Sequence, residues 1–353
     1  MRLFAHLDLE AFFCSVEELE DPRLAEIPFI VGGDPHGRGI VATANYRARA
    51  FGIHSAMSAA EALRRCPELV VVHPTRGRYG SYSRKVWKLV RDRVPEVEQA
   101  GIDEGYLDLS ACENMAAAET FCRALQQELM NELGLSASFG ISALKVVAKI
   151  ASDLRKPAGI TSVSPGEEAA FLAPLSVRRL PGVGPKTLRI LAADRIVTIG
   201  QLARLGDDEL DYMLPGKQGR GLRERARGID PRWLEAPSEP KQLSAEETFS
   251  VDLRDRARLR AELEPLARRV CERLVAHGYT ARTVTLKRKY ADFRVRSCSF
   301  SLPVASADPA RIGQVADFLL DRALDAEPGA LRLLGISCSR FERTVQPELP
   351  LDL

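Results

Sequence analysis

Acidic residues follow two short apolar runs, and this pattern constrains the fold more than any other feature of the chain. The first acidic box is residues 6–17 (HLDLEAFFCSVE), and the second is residues 101–109 (GIDEGYLDL). Short apolar runs that are bounded by turns are typical of strands. If the two strands are neighbours, Asp8, Asp103 and Glu104 converge at one edge of a sheet.

Three converging carboxylates repel one another unless cations lie between them. Two Mg²⁺ ions about 3.5–4 Å apart would neutralise the acids and would suit phosphoryl transfer. The spacing alone leaves a second interpretation open. In that interpretation Asp8 caps a helix that starts near Ala11, and Asp103 and Glu104 lie in a solvated turn.

The composition is that of a soluble globular protein with several domains. The chain has 353 residues, of which 45% are hydrophobic and 28% are charged, and this length predicts about two to four domains. It contains no apolar run long enough to span a membrane, and its N-terminal residues reach acids too soon for a signal peptide. The seven cysteines are scattered without a C-x-x-C pair, which argues against a disulfide framework or a zinc site and favours the cytoplasm.

Net charge is only +2, but one segment near the C-terminus is strongly basic. Residues 282–296 hold one acid and six basic residues: Arg282, Lys287, Arg288, Lys289, Arg294 and Arg296. Part of this segment alternates like a strand, so one face is expected to be basic and to follow a phosphate backbone. The alternative is a solvated edge strand that its charges protect from aggregation.

The order of predicted elements indicates an α+β fold. Strands and helices alternate up to about residue 164 without a regular βαβ repeat. Residues 166–230 are mostly short helices broken by glycine and proline, and residues 242–342 return to strands with two long helices.

A helix-hairpin-helix signature lies in the region of short helices. In residues 180–187 (LPGVGPKT), Gly182 and Gly184 permit a tight turn that brings backbone N–H groups to a phosphate, at the start of a helix that carries Lys186. Residues 214–219 (LPGKQG) are a weaker second copy. An ordinary turn between two helices is the alternative for both.

Both acidic boxes resemble the metal-binding boxes of the Y-family DNA polymerases, in particular the DNA polymerase IV (DinB) group, and further family-like segments follow along nearly the whole chain. The resemblance implies a right-hand fold. Its expected parts are a palm (residues 1–10 and 75–165), fingers (11–74), a small helical thumb (166–235), a linker (236–241), an α/β little finger (242–345) and a tail (346–353).

The resemblance also implies template-directed DNA synthesis of low fidelity, acting in translesion synthesis and DNA repair without proofreading. Asp8, Asp103, Glu104 and the backbone carbonyl of Leu9 would hold two Mg²⁺ ions. The expected partners are primer-template DNA and dNTPs, and the protein is expected to be a monomer.

Nucleotide contacts carry over from the family by position. Phe13 would exclude a ribose 2′-hydroxyl, and Phe12 would pack beneath the nucleotide, although two adjacent phenylalanines at a helix start are usually core. The triphosphate would be held by Thr43, Tyr46, Arg49 and Lys156. Tyr46 and Arg49 are three residues apart and so share a helix face, and the guanidinium fork matches two phosphate oxygens at once.

The tail resembles the peptide that bacterial polymerases use to bind the sliding clamp. In residues 346–351 (QPELPL), Gln346, Leu349 and Leu351 would fill a hydrophobic pocket, and the two prolines would reduce the ordering cost. A frayed C-terminus is the alternative.

The chain departs from the family pattern at a few positions. Glu10 stands where aspartate is usual, and it would change the metal geometry if it contacted a metal. Gly101 and Gly105 flank the second acid pair where serine and alanine are commoner, and they are expected to loosen that strand. Cys14 stands where a small residue is usual.

Two other classes of protein share some of these features. A nucleotidyl cyclase uses a palm-like fold with two metals, but it needs no helix-hairpin-helix, basic C-terminal domain or clamp peptide. A clamp-recruited DNA-binding protein without catalytic activity keeps those three features, but it does not need the three acids together with Tyr46, Arg49 and Lys156.

Overall fold

A computed structural model describes residues 2–75, 77–236 and 238–343 of the chain. The chain divides into two compact units, Met1–Pro237 and Ser238–Leu353. In these described ranges no helix combines the length and the apolar character needed to cross a membrane. Each unit mixes helices with sheets, as the α+β prediction requires.

The first unit contains two sheets and a series of mostly short helices. Its strands are β1 (Phe4–Leu9), β2 (Phe29–Gly32), β3 (Val41–Ala44), β4 (Val70–Val72), β5 (Val97–Gln99), β6 (Glu104–Asp108), β7 (Ala137–Ser142) and β8 (Ile160–Ser162). Its helices are α1 (Phe12–Glu20), α2 (Tyr46–Arg49), α3 (Ala59–Arg65), α4 (Arg78–Arg93), α5 (Met115–Leu133), α6 (Lys145–Ser152), α7 (Glu168–Leu172), α8 (Pro185–Ala193), α9 (Ile199–Arg204), α10 (Asp207–Met213) and α11 (Lys217–Ala226). The larger sheet has the strand order β5-β6-β1-β7-β8, and the smaller one has the order β3-β2-β4.

Strand β1 lies at the centre of the larger sheet because it is apolar enough to be covered on both faces. It pairs antiparallel with β6 on one side and with β7 on the other. Ala5, Leu7 and Leu9 point into a core that α1, α4 and α5 complete. Side chains alternate along a strand, so His6 and Asp8 point to the opposite face, against which α6 packs.

Helices α7 to α11 form a second apolar cluster with α6. Local capping explains several of their boundaries. Thr198 and Gln201 form a reciprocal capping box at the start of α9, and Pro185 occupies the first turn of α8, where a missing N–H costs nothing.

The second unit is an antiparallel sheet covered on one face by two long helices. Its elements are β9 (Gln242–Leu253), α12 (Arg256–Ala276), β10 (Tyr279–Tyr290), β11 (Val295–Ser306), α13 (Pro309–Ala326) and β12 (Leu331–Arg343). The strand order is β11-β10-β12-β9. Alternate residues of β10, such as Val284 and Leu286, are buried in the core that α12 and α13 share, so the intervening residues lie on the other face.

Candidate active site

The pairing of β1 with β6 brings the two acidic boxes together. Asp8 and Glu104 are direct partners in the register, and the N–H of Leu9 donates a hydrogen bond of 2.9 Å to the carbonyl of Asp103. Asp8 does not cap α1, because that helix begins at Phe12 and no side chain bonds to its N-terminus. The helix-cap interpretation of Asp8 is therefore wrong.

Burial is the main influence on the pKa values of Asp8 and Asp103. Burial raises the pKa of Asp8 above its ordinary value, although the ammonium of Lys156 opposes the change. Burial also raises the pKa of Asp103, and the nearby charge of Asp8 raises it further. A bound cation would relieve the repulsion by which one carboxylate raises the pKa of its neighbour.

Two lysines neutralise part of this charge. Lys156 Nζ lies 2.7 Å from Asp8 Oδ1 and 2.8 Å from Asp153 Oδ1. Lys149, on α6, donates to Glu104 Oε2. Lys156 was predicted as a triphosphate ligand, and the structure places it beside the acids. Lys149 was not predicted.

His6 is a further member of the site that the sequence reasoning missed. Its Nδ1 lies 2.8 Å from Ser152 Oγ, and its Nε2 lies 3.4 Å from Glu104 Oε2, at the long limit of a hydrogen bond. His6 and then Lys149 hold the pKa of Glu104 at about 2 despite its partial burial. His6 could have been found from its position. It precedes Asp8 by two residues in the same strand, so the two side chains lie on the same face of the sheet.

The donor set fits a divalent cation. Ligand atoms of His6, Asp8 and Glu104 all lie within 4.8 Å of one another. Asp103 belongs to the same electrostatic cluster, because its pKa responds to the charges of both Asp8 and Glu104. Carboxylate oxygens are the ligands that Mg²⁺ prefers.

Helix α4 supports the turn that carries the acids. The carbonyl of Ile102 accepts hydrogen bonds from Ser83 Oγ (2.6 Å) and from Trp87 Nε1 (3.3 Å). A β-carbon added to Gly105 would lie 2.4 Å from Trp87 Cη2 and 2.6 Å from the carbonyl oxygen of Glu98. The expectation that Gly105 loosens the strand is wrong, because the missing side chain allows the indole to pack directly on the backbone.

Gly105→Ala is expected to lower the free energy of unfolding by about 1–3 kcal/mol, because the added methyl group overpacks a closed contact. Chemical denaturation measures the change. Gly101→Ala is the matched control on the same turn, since its nearest new contact is the movable Glu104 side chain at 3.2 Å. Equal stability of the two variants would contradict the assignment of Gly105 to Trp87 packing.

The two adjacent phenylalanines have different environments. Phe12 is 1% exposed and lies in the core of the larger sheet, so its place beneath the nucleotide stays a prediction. Phe13 is partly exposed and stacks on Tyr79 with ring centroids 4.1 Å apart. Tyr79 is itself fixed, because its hydroxyl donates to Glu17 Oε1 at 2.6 Å.

The predicted triphosphate ligands of the smaller sheet lie on and beside α2. Asn45 caps this one-turn helix by accepting from the N–H of Ala48. The guanidinium of Arg49 lies 4.7 Å above the ring of Tyr46. Thr43 lies on β3, where its carbonyl accepts a hydrogen bond from Cys14.

The carboxylate of Glu10 bonds to groups other than the acids of the cluster. Glu10 is 4% exposed, and its carboxylate accepts hydrogen bonds from the hydroxyls of Tyr46 and Ser138 and from the N–H of Ala158. The side chain of Glu10, which directly follows β1, therefore connects β7 with α2.

Both predicted hairpins of the short-helix region have the expected turn geometry. Gly182 has φ of +99° and Gly216 has φ of +85°, a backbone region that glycine adopts without strain. Gly184 precedes α8, and Lys186 is exposed in its first turn. Gly182, Gly184 and Lys186 line a cavity that the second hairpin, residues 214–219, also borders.

The basic segment of the second unit divides between two faces of the sheet. Lys287 and Lys289 lie on the face opposite the helices, whereas Arg288 is 5% exposed and donates to the hydroxyl of Tyr290 at 3.2 Å. A side chain on the helix-covered face cannot follow a nucleic acid on the other one, so we withdraw Arg288 as a DNA contact.

Acidic partners balance much of the remaining basic charge. Lys287 lies 2.9 Å from Glu246, and Arg282 pairs with Glu342. Arg294 and Arg296 both contact Glu327. The net field of this surface is therefore weaker than the count of basic residues suggests. The predicted clamp peptide, with Gln346, Leu349 and Leu351, lies outside the described residues.

Comparison with known proteins extends these observations to nearly the whole chain. Residues 7–153 match the impB/mucB/samB family, and residues 240–351 match the C-terminal domain of that family. A protein of Methanoculleus marisnigri named DNA polymerase IV is 40% identical, over 99% of this chain and 98% of its own. A protein of the same name from Halorhodospira halophila is also 40% identical, over 97% and 96%.

Solved structures with the same fold include a chimera based on the Y-family DNA polymerase Dbh. It covers 96% of this chain and 98% of its own, with a TM-score of 0.86 and 24% identity. An insertion ternary complex of Dbh covers the same shares, with a TM-score of 0.68 and 23% identity. At this identity the likeness establishes the right-hand fold.

Proposed function

Because this chain belongs to the DNA polymerase IV group of the Y-family DNA polymerases, we propose that it extends a primer 3′-hydroxyl along a DNA template. It is a DNA-directed DNA polymerase of the translesion type. The observation that carries the proposal is the convergence of Asp8, Asp103 and Glu104 where β1 ends and β6 begins.

Family membership implies dependence on a divalent metal, and we propose two Mg²⁺ ions held by the three acids and the backbone carbonyl of Leu9. The support is that ligand atoms of Asp8 and Glu104 lie within 4.8 Å of each other and that the charge of Asp8 raises the pKa of Asp103. Bound there, the ions would lower the pKa of the primer hydroxyl and stabilise the charge on the leaving pyrophosphate.

The protein's own side chains prepare this site. Lys149 and His6 keep Glu104 ionised and oriented. Arg49 and Lys156 provide the positive charge that a triphosphate needs beside the acids. Phe13, supported by the ring of Tyr79, forms a flat wall that leaves no room for a 2′-hydroxyl on the incoming sugar.

Low fidelity and lesion tolerance follow from the small insertion between β1 and the rest of the larger sheet. The described part of residues 11–74 holds short helices and a sheet of three- and four-residue strands. So small a structure cannot close tightly over a new base pair, and the site is expected to accept distorted templates. No proofreading activity is proposed.

Duplex DNA would be held by two further surfaces. The backbone N–H groups at Gly182 and Gly184, with Lys186, favour a phosphate at the start of α8. In the second unit, Arg282, Lys287, Lys289, Arg294 and Arg296 are the proposed backbone contacts. Such contacts do not depend on base sequence, which suits a polymerase.

Primer extension with each dNTP, on undamaged and damaged templates, tests the proposed function. We expect extension that requires a template and a divalent metal and that continues opposite damaged bases. Binding of primer-template without extension would favour the non-catalytic DNA-binding alternative. Release of a cyclic nucleotide from a nucleoside triphosphate would favour the cyclase.

Deletion of residues 346–353 is expected to remove stimulation by the sliding clamp and to leave unstimulated synthesis on a short primer unchanged. A tethered polymerase rebinds the primer end locally, so loss of the tether lowers its effective concentration there. The measurement is product length with and without a loaded clamp.

The tail also provides a matched control. Gln346→Ala with Leu349→Ala and Leu351→Ala should reproduce the deletion, whereas Glu348→Ala with Asp352→Ala should not. Full stimulation of the truncated protein would place the clamp anchor elsewhere. Loss of unstimulated synthesis would show that the fold extends beyond residue 345.

A further inference from the structure

The carboxylate of Glu10 connects the two elements that carry the proposed triphosphate cations. One oxygen accepts from the hydroxyl of Tyr46, on α2, and the other accepts from Ser138 Oγ and, at 3.2 Å, from the N–H of Ala158. The backbone of Glu10 is held as well, since Ser15 Oγ donates to its carbonyl at 2.6 Å. Three donors converge on one buried side chain, which fixes its position.

The contact with Tyr46 connects Glu10 to Arg49. A tyrosine hydroxyl has one proton, and in Tyr46 that proton is donated to Glu10. The ring of Tyr46 lies under the guanidinium of Arg49, with 4.7 Å between them, while Arg49 Nε donates to the carbonyl of Ala44 at 2.9 Å.

The contacts with Ser138 and Ala158 connect Glu10 to Lys156. Ala158 and Gly159 follow this lysine directly, and Ser138 Oγ accepts from the N–H of Gly159 at 3.1 Å while donating to Glu10. Glu10 thus fixes the backbone on which Lys156 stands, within reach of Asp8.

We propose that Glu10 is a positioning residue for nucleotide binding, and that Tyr46 relays its effect to Arg49. Glu10 positions Arg49 through the ring of Tyr46. It positions Lys156 through the backbone of residues 156–159. Aspartate, one methylene shorter, would not reach all three donors from the same position. The inference rests on the proposed polymerase function, because it concerns the nucleotide that the function requires.

A double-mutant cycle of Glu10→Gln and Tyr46→Phe tests the relay. The measured quantity is the Kd of a dNTP for the enzyme bound to a dideoxy-terminated primer-template, which does not depend on turnover. Each single variant is expected to weaken binding about tenfold, the size typical for losing a hydrogen bond to a charged group. The double variant is also expected to show about tenfold weakening, since both changes break the same link.

Weakening of about 100-fold in the double variant would overturn the relay, because independent effects multiply. Single variants that bind the dNTP as wild type does would overturn the positioning role altogether. Tyr46→Phe leaves the buried carboxylate in place, so it tests the relay even if Glu10→Gln folds poorly. Binding of primer-template by each variant confirms that it is folded.

A second tyrosine–glutamate pair provides the matched control. The hydroxyl of Tyr82 donates to Glu20 at 3.0 Å, and the same cycle of Tyr82→Phe and Glu20→Gln should leave dNTP affinity unchanged. Turnover of the wild-type enzyme on an ordinary primer is measured separately. Absence of turnover would contradict the proposed function, whereas a multiplicative cycle with normal turnover would contradict only the relay.

Discussion

Asp103→Ala and Glu104→Ala are each expected to abolish primer extension, lowering its rate by at least about 1,000-fold. Each change removes a charge that the metal site needs, and metal ions supply several kcal/mol of charge stabilisation to phosphoryl transfer. The measurement is single-turnover extension on an undamaged template. Affinity for primer-template, measured by fluorescence anisotropy, should change little, because the proposed DNA contacts lie on other elements.

Asp108→Asn is the matched control for these variants. Asp108 ends the strand that Glu104 begins, and its side chain accepts from the N–H of Ser110 at 2.8 Å, a bond that an asparagine oxygen can keep. Normal extension by this variant would show that an acid elsewhere on β6 is dispensable. Substantial extension by Asp103→Ala or Glu104→Ala would rule out the two-metal assignment.

Phe13→Val is expected to raise the ratio of rNTP to dNTP incorporation by at least about tenfold. The phenyl ring stacks on Tyr79, whose hydroxyl is anchored on Glu17, so the wall cannot retreat from a 2′-hydroxyl. Overpacking of a rigid site costs about 1–3 kcal/mol, and the smaller side chain would remove that cost. The measurement is the incorporation efficiency of each nucleotide on the same primer-template.

Phe121→Val is the control for the loss of ring volume. Phe121 also packs partly exposed against the core of the larger sheet, so the two changes are similar in size. This variant should lose stability without changing sugar selection. An unchanged ratio in Phe13→Val would mean that another group excludes the hydroxyl.

The convergence of the acids was predicted on one condition, because strand periodicity and box spacing are local signals that do not decide which strands pair. Asp8 and Glu104 were expected to meet if their strands were neighbours. Strands β1 and β6 are paired, and the two residues are direct partners in the register. The two glycine-rich turns were also predicted from local signals, and Gly182 and Gly216 both have a positive φ that glycine adopts without strain.

The environment of single residues could not be predicted in the same way. Arg288 differs from Lys287 only by one step along β10, and that step decides which face of the sheet it occupies. Phe12 and Phe13 are likewise adjacent, yet one is core and the other is partly exposed. Face assignment depends on which side the helices cover, and that is a tertiary property.

Contacts over long sequence distances were the other missing part. His6 meets Ser152 and Glu104, and Lys149 meets Glu104, but no local pattern links these positions. The contacts of Glu10 could not be predicted from the metal box, because its partners Tyr46 and Ser138 lie in other elements. Gly105 depends in the same way on Trp87.

Counting bound divalent ions tests the central claim most directly. Mn²⁺ can replace Mg²⁺ at oxygen sites, and its binding is measured by electron paramagnetic resonance on the enzyme with dideoxy-terminated primer-template and dNTP. The account predicts two Mn²⁺ ions per wild-type chain, and fewer than two when Asp103→Asn is combined with Glu104→Gln. Two ions in both proteins, or none in the wild type, would contradict the claim that Asp8, Asp103 and Glu104 form the metal site.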